Sequence, residues 1–91
     1  MTTYAWDEAK RLSNLRKHGL DFADAATILD GDSATKEDTR FNYPERRFNT
    51  LGYLQGKSVV VTYTEEEDVI RIISFRKASR RERVGQRGEA R

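Results

Sequence analysis

The sequence predicts a small α+β domain in which two N-terminal helices pack on a three- to four-stranded antiparallel sheet and a short basic helix closes the chain. Three observations predict it. Residues 8–29 place apolar side chains at helical spacing, residues 46–76 form strand-like runs divided by turn residues, and Ser79-Arg80-Arg81-Glu82 has the form of a capping box. Ninety-one residues make one domain, 1–91, without an internal repeat.

Asp7 reads as the N-cap of a first helix over about Glu8–His18, with Trp6 before it and Ala9, Leu12 and Leu15 as its apolar stripe. Gly19 supplies the left-handed residue that ends it, and Leu20 is expected to fold back on Leu15. Asp21 caps a second helix with Phe22, Ala25, Ala26 and Leu29 inward, ending near Gly31. Residues 31–46 lose helical periodicity: a strand over Ala34–Thr39 is expected, then a loop at Asn42-Tyr43-Pro44. Clearer strands follow at Arg46–Tyr53, Ser58–Thr64 and Val69–Arg76, with Leu54–Lys57 and Glu65–Asp68 as turns.

The even lengths of those turns set the faces. Pairing Tyr53 with Ser58 and Thr64 with Val69 puts Phe48, Thr50, Val59, Val61, Tyr63, Ile70 and Ile72 on the face the helices cover. The other face has an apolar half, Leu51, Val60, Ile73 and Phe75, and a polar half, Arg47, Asn49, Thr62, Thr64 and Arg71. Two guanidiniums flanked by hydroxyl and amide groups on a rigid sheet suit a phosphate; an ordinary solvated face is the competing reading.

Charge is unevenly distributed. Residues 76–91 hold seven Lys/Arg against two Glu, while the preceding residues hold ten basic and thirteen acidic side chains. Such a segment suits a nucleic acid or an acidic protein, or is a solvated tail. The chain has no cysteine, which removes zinc–thiolate and thiol-nucleophile chemistry, and no pair of histidines to hold a metal. Neither metal nor cofactor is expected. Met1–Trp6 lacks the basic flank and apolar centre of a signal peptide, and no run approaches the ~20 apolar residues of a membrane span. A cytoplasmic location without a membrane partner is expected.

Three groups of residues carry a family resemblance. Trp6-Asp7, Lys10, Asn14, Lys17-His18-Gly19 and Phe22 resemble the opening signature of the BrnT toxins, and Glu45, Arg47, Phe48 and Leu51-Gly52 their central one. Arg71-Ile72-Ile73-Ser74, Arg76-Lys77-Ala78 and Arg81-Glu82-Arg83 are similar to the closing one. The resemblance implies a RelE-like fold, RNA cleavage that blocks translation, and neutralisation by a BrnA-like antitoxin with a ribbon-helix-helix DNA-binding part. Operator DNA would then be bound only through the antitoxin. Two departures stand out: Phe75 where a small residue is common, and Arg46 where an acid often precedes the arginine. Phe75 is expected to narrow the apolar half of the exposed face.

Cutting RNA without a metal requires a base for the ribose 2′-hydroxyl and positive charge on the developing phosphorane. Arg47, Arg71 and Arg76 are the candidate charge stabilisers, and His18, at a helix C-terminus that favours its cation, is the candidate acid. Glu45 is a possible base. Lys10, Lys17, Asn49, Thr62, Lys77, Arg80 and Arg81 are candidate RNA contacts. A non-catalytic nucleic-acid-binding module and a protein-interaction domain are the rival functions; the first is disfavoured because the basic residues lack interleaved aromatics.

Overall fold

Asp7 opens the first helix, α1 (Glu8–His18): its carboxylate accepts from the backbone N–H groups of Ala9 at 2.9 Å and Lys10 at 3.2 Å. Gly19 closes it at φ 70°, donating its N–H to the Leu15 carbonyl at 2.8 Å. The structure, a computed structural model, describes residues 2–31 and 33–89, with side chains up to residue 85. Around α1 lie β1 (Thr3–Ala5), a 3-10 turn (Phe22–Asp24), α2 (Ala25–Asp30), β2 (Ala34–Asp38), β3 (Arg47–Leu54), β4 (Lys57–Glu66), β5 (Val69–Lys77) and α3 (Arg80–Glu89).

The sheet has five strands in the order β1-β5-β4-β3-β2 and is mixed rather than purely antiparallel, because β1 runs parallel to β5. The sequence expectation of three to four antiparallel strands missed β1, whose three residues are too few to show an alternation. The second helix is likewise shorter than expected: Asp21 caps a 3-10 turn through the Ala23 N–H at 3.0 Å, and the α-helix begins only at Ala25.

Both hairpins close on two residues. Gln55 and Gly56 have φ of 51° and 79°, the pair of positive values a tight hairpin turn requires. Tyr53 pairs with Ser58 as expected. At the second hairpin Glu66 pairs with Val69, so Thr64 faces Arg71 instead of Val69. The ladder then slips by one residue between Thr62 and Tyr63, where Ile73 is the extra residue of a bulge on β5.

That slip turns every later residue of β5 over. Phe75, expected on the exposed face, is fully buried in the core with Phe22, Ala25, Ile28, Val59, Val61, Tyr63 and Ile72. It therefore cannot narrow the exposed face. Arg76 rotates the other way, onto the exposed face opposite Val60, and Lys77 falls on the core side opposite Val59. The remaining core-face assignments hold: Thr50 is fully buried, and Phe48 and Ile70 pack against the cluster.

Helix α1 docks through a polar residue. Asn14 is buried; its amide donates to the Phe75 carbonyl at 2.7 Å and the Leu20 carbonyl at 3.0 Å, while its oxygen accepts the Phe75 N–H at 3.1 Å. Strand β1 pairs only with residues 69–71, so beyond it this side chain completes the edge of β5 as a neighbouring strand would. The expected stripe is not the buried one: Leu12 and Leu15 are exposed, and it is Leu20 that packs against the core. On the other flank α2 comes so close to β3 that a Cβ on Gly52 would meet Ile28 Cγ2 at 2.7 Å.

Candidate functional site

With α1, the 3-10 turn and α2 on the core side, the opposite face of the sheet presents three rows. The first runs Asp38–Arg47–Thr64–Arg71, the second Lys36–Asn49–Thr62–Ser74 and the third Ala34–Leu51–Val60–Arg76. Arg47 and Arg71 sit on strands either side of β4, so their backbones lie about 10 Å apart with Thr64 between them. Long side chains from these positions can converge on one phosphate group.

Neither arginine has a carboxylate partner among the described residues. Arg71 is exposed. Arg47 is half-buried, and its guanidinium carbon lies 4.1 Å from the centroid of the Tyr43 ring, a cation–π contact that orients the group. Its Nε is buried without a hydrogen-bond partner. The carboxylate facing Arg47 across the ladder, Asp38, is taken by another residue: Arg40 donates from Nε at 3.0 Å and Nη2 at 2.9 Å. Arg40 holds the buried Asp38 carboxyl down to about 2, helped by the Arg40 backbone N–H and by Asn49. Asn49 also accepts from the Thr62 hydroxyl at 2.7 Å, so the second row is a fixed hydrogen-bonded rib beside the first.

Beside Arg71 the sheet opens into a hollow of about 310 Å³ lined by Glu45, Thr64, Glu66, Glu67, Val69 and Arg71. Glu45, the possible base, is thus brought next to the arginine row, although it precedes β3.

The far end of the same face is built differently. Ser79 and Glu82 form the reciprocal capping box of α3: the Glu82 N–H donates to Ser79 Oγ at 3.2 Å and the Ser79 N–H to Glu82 Oε1 at 2.8 Å. Arg76 grips the same carboxylate with both terminal nitrogens, at 2.8 and 3.1 Å, and draws the Glu82 carboxyl down to about 2. A groove of about 340 Å³ runs between this start of α3 and strands β2–β4, with Leu51, Val60 and Arg81 among its lining residues.

The candidate residues therefore separate. Arg47, Arg71, Asn49 and Thr62 share one face; Arg76 joins them there but is ion-paired, and because the hairpin pairs Glu66 with Val69 it is Thr64 rather than Thr62 that lies opposite Arg71. Arg81 lines the groove, and Arg80 is exposed in the first turn of α3. Lys77 lies on the core side. His18, Lys10 and Lys17 belong to α1, which is tied to the core-side turn by Arg11 and Asp21 at 3.0 Å. Ala5 pairs with Arg71 and Asn14 bonds Phe75, so α1 advances away from Arg71; Phe75 is already about 13 Å along β5, and His18 is a turn farther. His18 is not brought to the arginine row. Tyr43 was missed because it sits in a loop without periodicity; its one sequence signal was an aromatic shortly before an arginine. The expectation that the basic residues lack interleaved aromatics also fails there, since Arg40, Phe41, Tyr43 and Arg47 alternate cation and ring contacts.

Residues 6–82 match the family model of the ribonuclease toxin BrnT of type II toxin–antitoxin systems. Among solved structures, the chain is similar to the Brucella abortus ribonuclease toxin BrnT, at 30% sequence identity and a TM-score of 0.65, over 88% of this chain and 100% of that one. No curated protein matches the chain.

Proposed function

The chain belongs to the BrnT family of ribonuclease toxins of type II toxin–antitoxin systems, and from that membership we propose that it cuts RNA without a metal, by attack of a ribose 2′-hydroxyl on the adjacent phosphate. The observation that carries this reading is the Arg47–Thr64–Arg71 row, whose two guanidiniums make no ion pair among the described residues. Their planar, forked donors can hold the two non-bridging oxygens as charge builds on the phosphorane. Glu45, which lines the hollow beside Arg71, is the residue we assign to take the proton of the 2′-hydroxyl. Asn49 and Thr62 flank the strand, and Lys36, Arg80 and Arg81 add sequence-independent attraction for its phosphates. Arg76, bound to Glu82, serves chiefly to anchor α3.

Cleavage of this kind inhibits translation, and an antitoxin of the BrnA-like, ribbon-helix-helix type neutralises it in the cytoplasm. An acidic segment of that partner would cover the free arginines and α3, and operator DNA would be bound through the partner alone. The described helices include none long and apolar enough to cross a membrane. Purified protein should cleave RNA in excess EDTA and leave 2′,3′-cyclic phosphate or 3′-phosphate ends. Activity lost to chelator and restored by Mg²⁺ contradicts the mechanism.

A further inference from the structure

The loop between β2 and β3 carries features that phosphate binding leaves unused. Phe41 is 66% exposed, the most exposed large apolar side chain described. It is not loose: its ring meets Tyr43 edge-on at 5.7 Å and 71°, and the Arg40 guanidinium carbon lies 5.8 Å from its centroid. Tyr43 in turn donates to the buried Asp38 carboxylate at 3.4 Å and supports Arg47 at 4.1 Å. Arg40 is itself fixed by two hydrogen bonds to Asp38. One buried carboxylate thus orders a chain of contacts, Arg40–Phe41–Tyr43–Arg47, whose last member is half of the arginine row.

We infer that Phe41 is a stacking platform for one nucleobase of single-stranded RNA, adjoining the phosphate held by Arg47 and Arg71. The contacts through Tyr43 put the ring within a nucleotide's reach of Arg47, so a strand whose phosphate sits on the row can lay a neighbouring base on Phe41. The ring is held open to solvent, with the Arg40 guanidinium, itself paired with Asp38, against it. Arg47, at the end of this chain of contacts, complements a polyanion, and the exposed ring can take any base by its π-face. An apolar protein partner finds no second large exposed apolar side chain in the loop. The assignment relies on the ribonuclease reading only for the identity of the row; the platform itself predicts single-strand binding.

The test uses fluorescence anisotropy with the whole chain and two uncleavable probes of equal charge: a 2′-O-methyl oligouridylate and an abasic strand of the same length. Wild type should prefer the base-bearing strand. Phe41→Ala should lose affinity for it by roughly five- to 100-fold, keep its affinity for the abasic strand, and retain the salt dependence of binding. Phe41→Trp should restore the preference. Arg71→Ala should weaken both strands alike. Equal preference in wild type and Phe41→Ala overturns the platform, as does a Phe41→Ala variant that loses only the antitoxin, since the ring then serves a protein interface. Wild-type cleavage of unblocked RNA is scored separately: cleavage with no effect of Phe41 refutes the platform alone, and base preference without cleavage refutes the ribonuclease reading alone.

Discussion

At the two ends of one sheet face the same residue type meets opposite treatment. Arg47 and Arg71 have no carboxylate partner among the described residues, and the acid facing Arg47 across the ladder, Asp38, is held by Arg40 instead. Some rungs away Arg76 is clamped by both terminal nitrogens to Glu82, which also caps α3. Counting arginines would have made three equivalent candidates. The partners distinguish them: a guanidinium already neutralised must give up two charge-assisted hydrogen bonds before it can meet a phosphate, whereas an unpaired one gives up only water. On the proposed reading one end of the face serves the chemistry and the other holds the last helix.

The largest departure from this division should come at Arg47. Arg47→Ala should lower the cleavage rate by roughly 10²–10³ if the residue donates to developing charge. A loss under tenfold, with folding intact, would merge the two ends. Next in size is a stability effect on the opposite side of the sheet. Asn14→Ala strips partners from the buried N–H and carbonyl of Phe75 and should cost about 1–3 kcal/mol in denaturant unfolding. Its activity per folded molecule should not change; a large specific loss would bring α1 and His18 back into the site.

The smallest effect concerns the clamped end and depends on pH. The Glu82 carboxyl is lowered from its ordinary 4.5 to about 2 in the folded chain, so its contribution to stability is fully present above 4.5 and is lost as pH falls toward 2. Glu82→Gln should therefore have a lower Tm than wild type at pH 7 and a shallower decline between pH 4.5 and 2. Part of the decline should remain in the variant, because Asp38 is lowered in the same way. Parallel melting curves across that range would mean that the Arg76–Glu82 contact is not formed in solution.

How much of this was legible before the structure depended on how local each signal was. The Asp7 cap, the Gly19 stop and the Ser79–Glu82 box are written in neighbouring residues, and all three were read correctly. The tight turn at Gln55-Gly56 fixed the β3–β4 register for the same reason. The bulge at Ile73 was not legible, because Arg71–Arg76 reads equally well as a regular strand and only packing against Val61 and Phe22 decides that Phe75 turns inward. Asn14 was hidden by the leucines around it: helical spacing marked Leu12 and Leu15 as inward, while the edge of β5 needed an amide. The site divided along the same line. Arg47, Asn49, Thr62 and Arg71 were grouped from alternation alone, but the ion pair of Arg76 with Glu82 and the way Asn14 docks the helix that carries His18 are tertiary facts.

The central claim is that free arginines act on the transition state and the clamped one does not. Single-turnover cleavage at saturating protein, run on Arg71→Ala and Arg76→Ala beside their melting curves, tests it most directly. Arg71→Ala should melt like wild type and cut roughly 10²–10³ slower. Arg76→Ala should melt lower and, where folded, cut within a few-fold of wild type. Full-rate cleavage by Arg71→Ala under saturation, or a loss at Arg76 as deep as that expected at Arg71, would contradict the account.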